Sequence, residues 1–279
     1  MCSHFRRIAA FAFCLAFGAG SGAEPVPAPR VLKVCSDPNN MPFSNRAEEG
    51  FENRMAQLIA SDLQASVEYT WFPQRRGFLS NTLRAGLCDV VMGVPSRFEP
   101  VETTRPYYRS TYVFVTQPGQ RISSLDDAIL HRLRIGVHVI GDDYANPPPA
   151  HALGRRGIIR NVSGYSIYGD YSRPNPPARL VEAVATKGVD LAIVWGPFGG
   201  YFGTRQGAPL RITPVSPDSD ASLPLTYEIA VGVRKGDTVR RDELQRILDR
   251  RKIEIKRILD EYGVPLKRLN EQVPAGAAR

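Results

Sequence analysis

The sequence is poor in the residues and motifs that mark catalytic and metal sites. Its 279 residues include only four histidines and four cysteines. It has no G-x-G-x-x-G, Walker A, G-x-S-x-G or H-E-x-x-H motif, so it gives no support for nucleotide binding, serine hydrolysis or zinc proteolysis. The spacing of His131, His138 and His151 does not suit a ligand pair on one helix. We therefore predict no catalytic residue, no metal site and no cofactor.

Long runs of one charge and long apolar runs are also missing. Lys and Arg exceed Asp and Glu by 36 − 28 = 8, but no block of five or six like charges occurs. The charge pattern therefore does not indicate nucleic-acid binding. The apolar run Ile8–Phe17 is too short to span a bilayer, which needs about 20 residues. It follows two arginines and precedes small residues ending at Ala23, so we predict a cleaved secretory signal peptide at residues 1–23 and no membrane segment afterwards.

The predicted mature protein has only two of the four cysteines. Cys2 and Cys14 leave with the predicted signal peptide, and Cys35 and Cys88 remain. Two cysteines in an exported protein usually pair, because the compartment is oxidising. Cys35 ends a predicted first strand, and Cys88 directly precedes a predicted third strand that lies beside the first in the topology described next. We predict a Cys35–Cys88 disulfide, with two separate buried thiols as the alternative.

The sequence does contain a regular alternation of strand and helix patterns. Up to Val94 it reads strand, helix, strand, helix, strand, and the pattern restarts near Arg134. Two such α/β cycles predict two lobes, each a mixed sheet flanked by helices. We expect β-rich runs near Val115 and Val231 to cross between them. The predicted first lobe comprises residues 24–116 and 228–279, with a helical segment from 237 to 262, and the second comprises residues 117–227.

Several runs of residues resemble a known family. G-F-E at 50–52, L-x-A-G-x-x-D-V-V-M-G at 83–93, T-R-P-Y-Y at 104–108 and G-V-D-L-A-I-V at 188–194 occur in an order similar to that of the type II periplasmic solute-binding proteins. Three longer runs, at 35–45, 69–78 and 103–115, resemble the branch associated with quinoprotein dehydrogenases, the MoxJ/XoxJ type. The resemblance implies a two-lobed clamshell with two hinge strands that closes on a ligand.

The resemblance also implies a function. Members of this branch are encoded beside periplasmic methanol dehydrogenases that use pyrroloquinoline quinone (PQQ). We therefore expect a monomeric periplasmic accessory protein, not an enzyme, whose partner is a periplasmic quinoprotein alcohol dehydrogenase or a segment of it. The alternative is a receptor that delivers a small solute other than an amino acid to an ABC importer.

The same resemblance indicates the candidate cleft residues. They are Asn39, Asn40, Phe43, Trp71, Arg97, Tyr107, Tyr108 and Trp195. Amino-acid-binding relatives hold the α-carboxylate with an arginine, a role that Arg97 matches only without its usual T-x-x-R context. They hold the ammonium with an aspartate where this chain has Trp195, which carries no charge. We therefore expect free amino acids not to bind with receptor affinity.

An aromatic loop supplies a second candidate surface. Tyr165, Tyr168, Tyr171 and Arg173 lie in a stretch interrupted by glycine and proline, which is difficult to assign to a core. Exposed aromatic and arginine side chains are typical of protein-contact surfaces. We predict a partner-binding loop here, and a locally packed Ω-loop is the alternative.

Overall fold

The computed structural model describes residues 30–139, 146–167 and 171–269, and the predicted signal peptide lies outside these ranges. The described strands are β1 (Arg30–Ser36), β2 (Asn39–Asn40), β3 (Ser44–Asn45), β4 (Ala65–Trp71), β5 (Val90–Pro95), β6 (Glu102–Thr103), β7 (Tyr108–Thr116), β8 (Ile135–Val139), β9 (Val162–Ser166), β10 (Leu191–Trp195), β11 (Arg211–Pro214), β12 (Ser219–Asp220), β13 (Leu223–Pro224) and β14 (Thr226–Val233). The described helices are α1 (Phe51–Asp62), α2 (Phe78–Asn81), α3 (Pro148–Arg155), α4 (Ala178–Ala185), α5 (Gly196–Gly203), α6 (Thr238–Arg250) and α7 (Lys252–Glu261), with a 3₁₀ turn at Ala128–His131.

One curved sheet connects both lobes. Its strand order is β4-β1-β5-β14-β7-β10-β8-β9, with β11 also pairing β7 and β6 pairing β14. β1 lies parallel to β4 and β5, and β8 lies parallel to β9 and β10. Each parallel group belongs to one lobe and comes from one of the two α/β cycles. The predicted mixed α/β clamshell is thus confirmed.

The two central strands β7 and β14 cross between the lobes. The first part of β7 pairs antiparallel with β14, from Tyr108↔Ile229 to Thr111↔Thr226. The rest of β7, from Tyr112 to Thr116, pairs antiparallel with β10. These are the β-rich runs that the sequence indicated as crossings, and they make the sheet continuous. The lobe boundaries at residues 116/117 and 227/228 stay a prediction.

Helix α1 illustrates how the sequence pattern builds the core. Phe51, Met55 and Ile59 recur at four-residue spacing, and all three are buried. A stripe at this spacing lies on one face of a helix, so it packs against the sheet. Helices α6 and α7 pack on the same helix. This layer holds the N-terminal turn of α1, which carries Glu52, near the contact between the lobes.

The predicted disulfide is present. Cys35 and Cys88 are joined, with their Cα atoms 5.5 Å apart. β1 and β5 are paired neighbours, and Cys35 is the last residue but one of β1 while Cys88 lies two residues before β5, so the two cysteines come within bonding distance. Both cysteines are buried.

No helix in the described ranges is both long and apolar enough to cross a membrane. Among the same residues, no group of three or more His, Cys, Asp or Glu side chains is placed to hold a metal ion.

Candidate functional site at the contact between the lobes

Asp37 anchors the site just after β1. It is 1% exposed, although it is a carboxylate. Its Oδ1 accepts a hydrogen bond from the Asn39 backbone N–H at 2.8 Å, and its Oδ2 accepts from the Gln74 backbone N–H at 2.6 Å. Oδ2 also accepts from the Tyr171 hydroxyl of the second lobe at 3.1 Å. Burial raises the pKa of the Asp37 carboxyl, and these hydrogen bonds partly oppose that rise.

Asn39 extends this contact through both ends of its amide group. Its Nδ2 donates to the Arg173 carbonyl oxygen at 2.7 Å, and its Oδ1 accepts from the Asn175 backbone N–H at 3.0 Å. An asparagine amide has donors on one atom and an acceptor on the other, so it can pair with a backbone N–H and C=O together. The two hydrogen bonds join the loop after β1 to the loop before α4. We call residues 171–175 the latch segment.

Asn40 completes the polar network beside the latch segment. Its Nδ2 donates to Gln74 Oε1 at 3.1 Å. The residue is buried, and within the described part of the chain its Oδ1 has no hydrogen-bond partner. A buried acceptor without a partner is costly. This oxygen is therefore an unsatisfied acceptor inside the network.

Aromatic rings join the lobes next to this network. Phe43 of the first lobe packs edge-on against Phe198 of α5, with ring centroids 5.2 Å apart, and against Phe51 at 5.1 Å. His138 of β8 also packs edge-on against Phe198, with ring centroids 5.2 Å apart. These apolar contacts fill space between the lobes with the protein's own side chains.

His138 is buried in its neutral form. Its Nε2 lies 3.2 Å from the Pro177 carbonyl oxygen, which can only accept, so Nε2 carries the proton. Burial lowers the pKa of His138 to about 4. Within the described ranges Nδ1 has no hydrogen-bond partner, so it is a second unused acceptor at the contact between the lobes.

Glu52 is a second buried carboxyl group near the contact. It lies in the first turn of α1 and is 7% exposed. A Cβ at Gly93 would be 2.1 Å from Glu52 Oε1, so the glycine on β5 leaves room for the carboxyl in this position. Burial raises the pKa of Glu52 to about 8, and the negative charge of Asp37 contributes to the rise. Glu52 is therefore mostly protonated at neutral pH.

The remaining predicted cleft residues have different surroundings. The Tyr107 hydroxyl donates to the Met92 carbonyl oxygen at 2.9 Å, and the Tyr108 ring packs on Phe51 at 6.2 Å. Burial raises the pKa of both tyrosines, and Glu52 contributes to each rise. Both therefore belong to the first lobe's interior beside Glu52.

Within the described residues, the side chains of Trp71, Trp195 and Arg97 make no hydrogen bond to the Asp37 network, although Trp71 pairs with Ser36 directly before Asp37. Trp71 stacks on Tyr69 at 4.6 Å, with the Arg46 guanidinium 5.9 Å from its ring. Trp195 packs edge-on against Tyr112 at 5.6 Å and Tyr227 at 5.7 Å, beside the crossing strands. Arg97 is exposed, and in the described part of the chain its guanidinium has no hydrogen-bond or ion-pair partner. Its backbone is left-handed, with φ of 60°.

The predicted partner loop is divided between two environments. Tyr165 lies on the edge strand β9 and packs partly buried against the core. Tyr168 lies outside the described residues. Tyr171 and Arg173 belong to the latch segment, which contacts Asp37 and Asn39.

Comparison with known proteins agrees with this architecture. The model for bacterial extracellular solute-binding proteins, family 3, matches residues 32–265. Protein MoxJ of Methylorubrum extorquens is 30% identical over 233 residues, spanning 79% of this chain and 76% of that protein. Protein MoxJ of Paracoccus denitrificans is 29% identical over 237 residues, spanning 78% of this chain and 84% of that protein. The crystal structure of the periplasmic binding protein XoxJ from Methylobacterium extorquens matches with a TM-score of 0.71 and 33% identity, over 85% of this chain and 100% of that chain.

The chain belongs to this family, in its MoxJ/XoxJ-type branch. Family membership places this MoxJ/XoxJ-type protein in the periplasm, in agreement with the export predicted from its sequence. Of the predicted cleft residues, Asn39 and Phe43 lie at the contact between the lobes and Asn40 lies beside Asn39, and their role in binding stays a prediction. The resemblance did not indicate every residue of this contact. It missed Asp37, Gln74 and Phe198, which contact them.

Proposed function

We propose that this MoxJ/XoxJ-type protein is a binding protein, not an enzyme, and that it serves a PQQ-dependent periplasmic methanol dehydrogenase. It binds the dehydrogenase, or a segment of its immature form, during maturation or activation. The observation that carries the proposal is the closed contact in which Asn39 pairs with the latch segment and Phe43 packs on Phe198. The protein's own groups thus occupy space in which a solute receptor would hold its ligand.

The charge of the protein supports association with an acidic partner. Without the predicted signal peptide, which holds two arginines and no acid, the net charge is 34 − 28 = +6. Such a charge accelerates encounter with an acidic protein and makes the association weaken as salt is added.

Deleting the gene tests this function. We expect lower dehydrogenase activity and lower PQQ loading, with uptake of small solutes intact. In vitro, the immobilised mature protein should capture the dehydrogenase at low salt and release it at high salt. Unchanged activity and cofactor loading in the deletion strain would contradict the proposal.

A receptor for a small solute is the second candidate. The buried acceptors Asn40 Oδ1 and His138 Nδ1 have no partner among the described residues, and a ligand with several hydrogen-bond donors would satisfy them. A solute that raises the melting temperature in a concentration-dependent way would favour this alternative.

Free α-amino acids should bind no tighter than about 1 mM, near −4 kcal/mol. Trp195 packs between Tyr112 and Tyr227 and offers no carboxylate to an ammonium group. Among the residues that the structure describes, none holds the Arg97 side chain towards a carboxylate. Desolvating an ammonium without a counter-charge costs several kcal/mol. Calorimetric titration with the common amino acids checks this expectation, and one micromolar binder would overturn it.

A further inference from the structure

The contact between Asn39 and the latch segment has the geometry of peptide recognition. One asparagine amide pairs with the C=O of Arg173 and the N–H of Asn175, two backbone groups of the same short segment. Residues 171–175 form a turn, and a side-chain amide that pairs with its C=O and N–H groups recognises the backbone of that turn irrespective of sequence. Asp37 adds selectivity, because its Oδ2 accepts the hydroxyl of Tyr171, two residues before the paired carbonyl.

The hydrogen bonds that orient the network around Asn39 come from the first lobe itself. Asp37 is oriented by the backbone N–H groups of Asn39 and Gln74, and Asn40 is oriented by the Gln74 side chain. All of these groups belong to the first lobe, so they do not need the latch segment to take their positions. Such preorganisation lowers the cost of binding a flexible segment.

The latch segment leaves part of this network unused. Asn40 Oδ1 is buried and has no hydrogen-bond partner within the described ranges. The second lobe therefore contacts the network through the latch segment but leaves this acceptor without a hydrogen bond. An internal competitor for the site would do the same.

We infer that Asp37, Asn39 and Asn40 form a binding site for a polypeptide turn with a tyrosine two residues before the paired backbone carbonyl, and that residues 171–175 occupy this site in cis. The latch segment competes with a partner polypeptide for this site. Because it is tethered to the same chain, its effective concentration at the site is high. A polypeptide from a partner opens the lobes by replacing it. This inference deepens the proposed function, because a segment of the dehydrogenase is then the trans ligand.

The free latch peptide is a direct probe of the site. The probe is the acetylated and amidated peptide of residues 171–177, Y-S-R-P-N-P-P, which carries the hydroxyl, the carbonyl and the N–H that the site contacts. In the protein, the double substitution Tyr171→Phe with Asn175→Pro removes the hydroxyl and the N–H on the latch side only. Proline also cannot adopt the φ of 51° at Asn175. Asn175→Gly keeps both the N–H and this φ, so it is the matched control.

We expect the peptide to bind the double variant at least tenfold more tightly than the wild-type protein, as measured by calorimetric titration of each protein with the peptide. Asn175→Gly should bind it as the wild type does, and Tyr171→Phe alone should show an intermediate gain. Adding the isosteric Asn39→Asp substitution to the double variant should weaken binding at least tenfold, because the donor to the carbonyl is lost. Equal affinity for the wild-type and double-variant proteins, no binding to either, or binding insensitive to Asn39→Asp would overturn the inference.

The peptide assay tests the inferred site and the dehydrogenase assay tests the proposed function, so either can fail without the other. Peptide binding of the expected pattern without any capture of dehydrogenase supports this site and contradicts the proposed function. Capture of dehydrogenase that is equal for the wild-type protein and Asn39→Asp contradicts the assigned trans ligand and leaves the proposed function standing.

Discussion

Replacing Cys35 and Cys88 together by alanine should lower the free energy of unfolding by about 4 kcal/mol. The disulfide joins residues 53 apart in sequence and closes a segment that contains α1, β4 and α2. In the chain-entropy account, the cross-link restricts the unfolded chain far more than the folded one. The folded state already holds the two Cα atoms 5.5 Å apart through the pairing of β1 with β5.

Urea unfolding of the oxidised protein, the reduced protein and the double-alanine variant measures this contribution. Reducing agent should destabilise the wild-type protein by nearly the same amount as the substitutions, and it should have no effect on the variant, which is the matched control. Free-thiol labelling of the unfolded, unreduced mature protein should find none. Two labelled cysteines, or equal stability of the oxidised and reduced proteins, would contradict the prediction.

Those parts of the fold that depend on local periodicity could be predicted from the sequence. The apolar stripe from Phe51 to Ile59 marks α1, and the apolar run at 90–94 marks the buried strand β5. Once these strands and helices are placed, the βαβ handedness sets β1 beside β5 and brings Cys35 to Cys88. The disulfide prediction succeeded because it needed only neighbouring elements.

Helix α5 shows where local patterns fail. Its sequence G-P-F-G-G-Y-F-G is rich in glycine, which disfavours helices by about 1 kcal/mol per residue. The glycines are used for close approach: a Cβ at Gly199 would lie 2.4 Å from the Val113 side chain, and one at Gly200 would lie 1.9 Å from the Gly263 carbonyl oxygen. Tertiary packing on β7 and on the segment after α7 therefore determines this helix, and a single-sequence pattern does not contain that information.

The candidate site could be predicted only in part for a similar reason. Asn39, Asn40 and Phe43 belong to a distinctive run and were identified by resemblance. Their contacts come from far along the chain, since Asn39 pairs with a residue 134 positions away. Glu52 was visible in the G-F-E motif, but its burial depends on Gly93 and on the layers above α1, which no local pattern reveals.

Glu52→Gln should raise the free energy of unfolding at pH 8 by about 3–5 kcal/mol. Burial raises the pKa of Glu52 from its ordinary 4.5 to about 8, and the charge of Asp37 adds to the rise. Between these two values the unfolded chain loses the proton while the folded protein keeps it. Glu52 therefore costs no stability below pH 4.5, and stability falls progressively as the pH rises towards 8. Glutamine has nearly the same shape and cannot ionise, so it removes this loss.

The groups around Glu52 determine how the measurement must be arranged. Tyr107 and Tyr108 stay protonated across this range because burial raises the pKa of both. The raised pKa of Asp37 makes stability fall as the pH rises, as for Glu52. The pKa of His138 is lowered from 6.5 to about 4, so its contribution makes stability fall as the pH drops below 6.5. The His138 contribution is common to the wild-type protein and the variant. The charges of Glu52 and Asp37 interact, so the difference between the two proteins measures the ionisation of Glu52 together with its coupling to Asp37.

Urea unfolding of the wild-type protein and Glu52→Gln at pH 5, 6, 7 and 8 checks this expectation. The advantage of the variant should be small at pH 5 and grow with each pH step. Glu68→Gln, at an exposed position on β4, is the matched control and should change stability by less than about 0.5 kcal/mol throughout. If the difference between Glu52→Gln and the wild-type protein is the same at pH 5 and pH 8, Glu52 ionises normally. The carboxyl would then be hydrated, and the contact between the lobes would be open in solution.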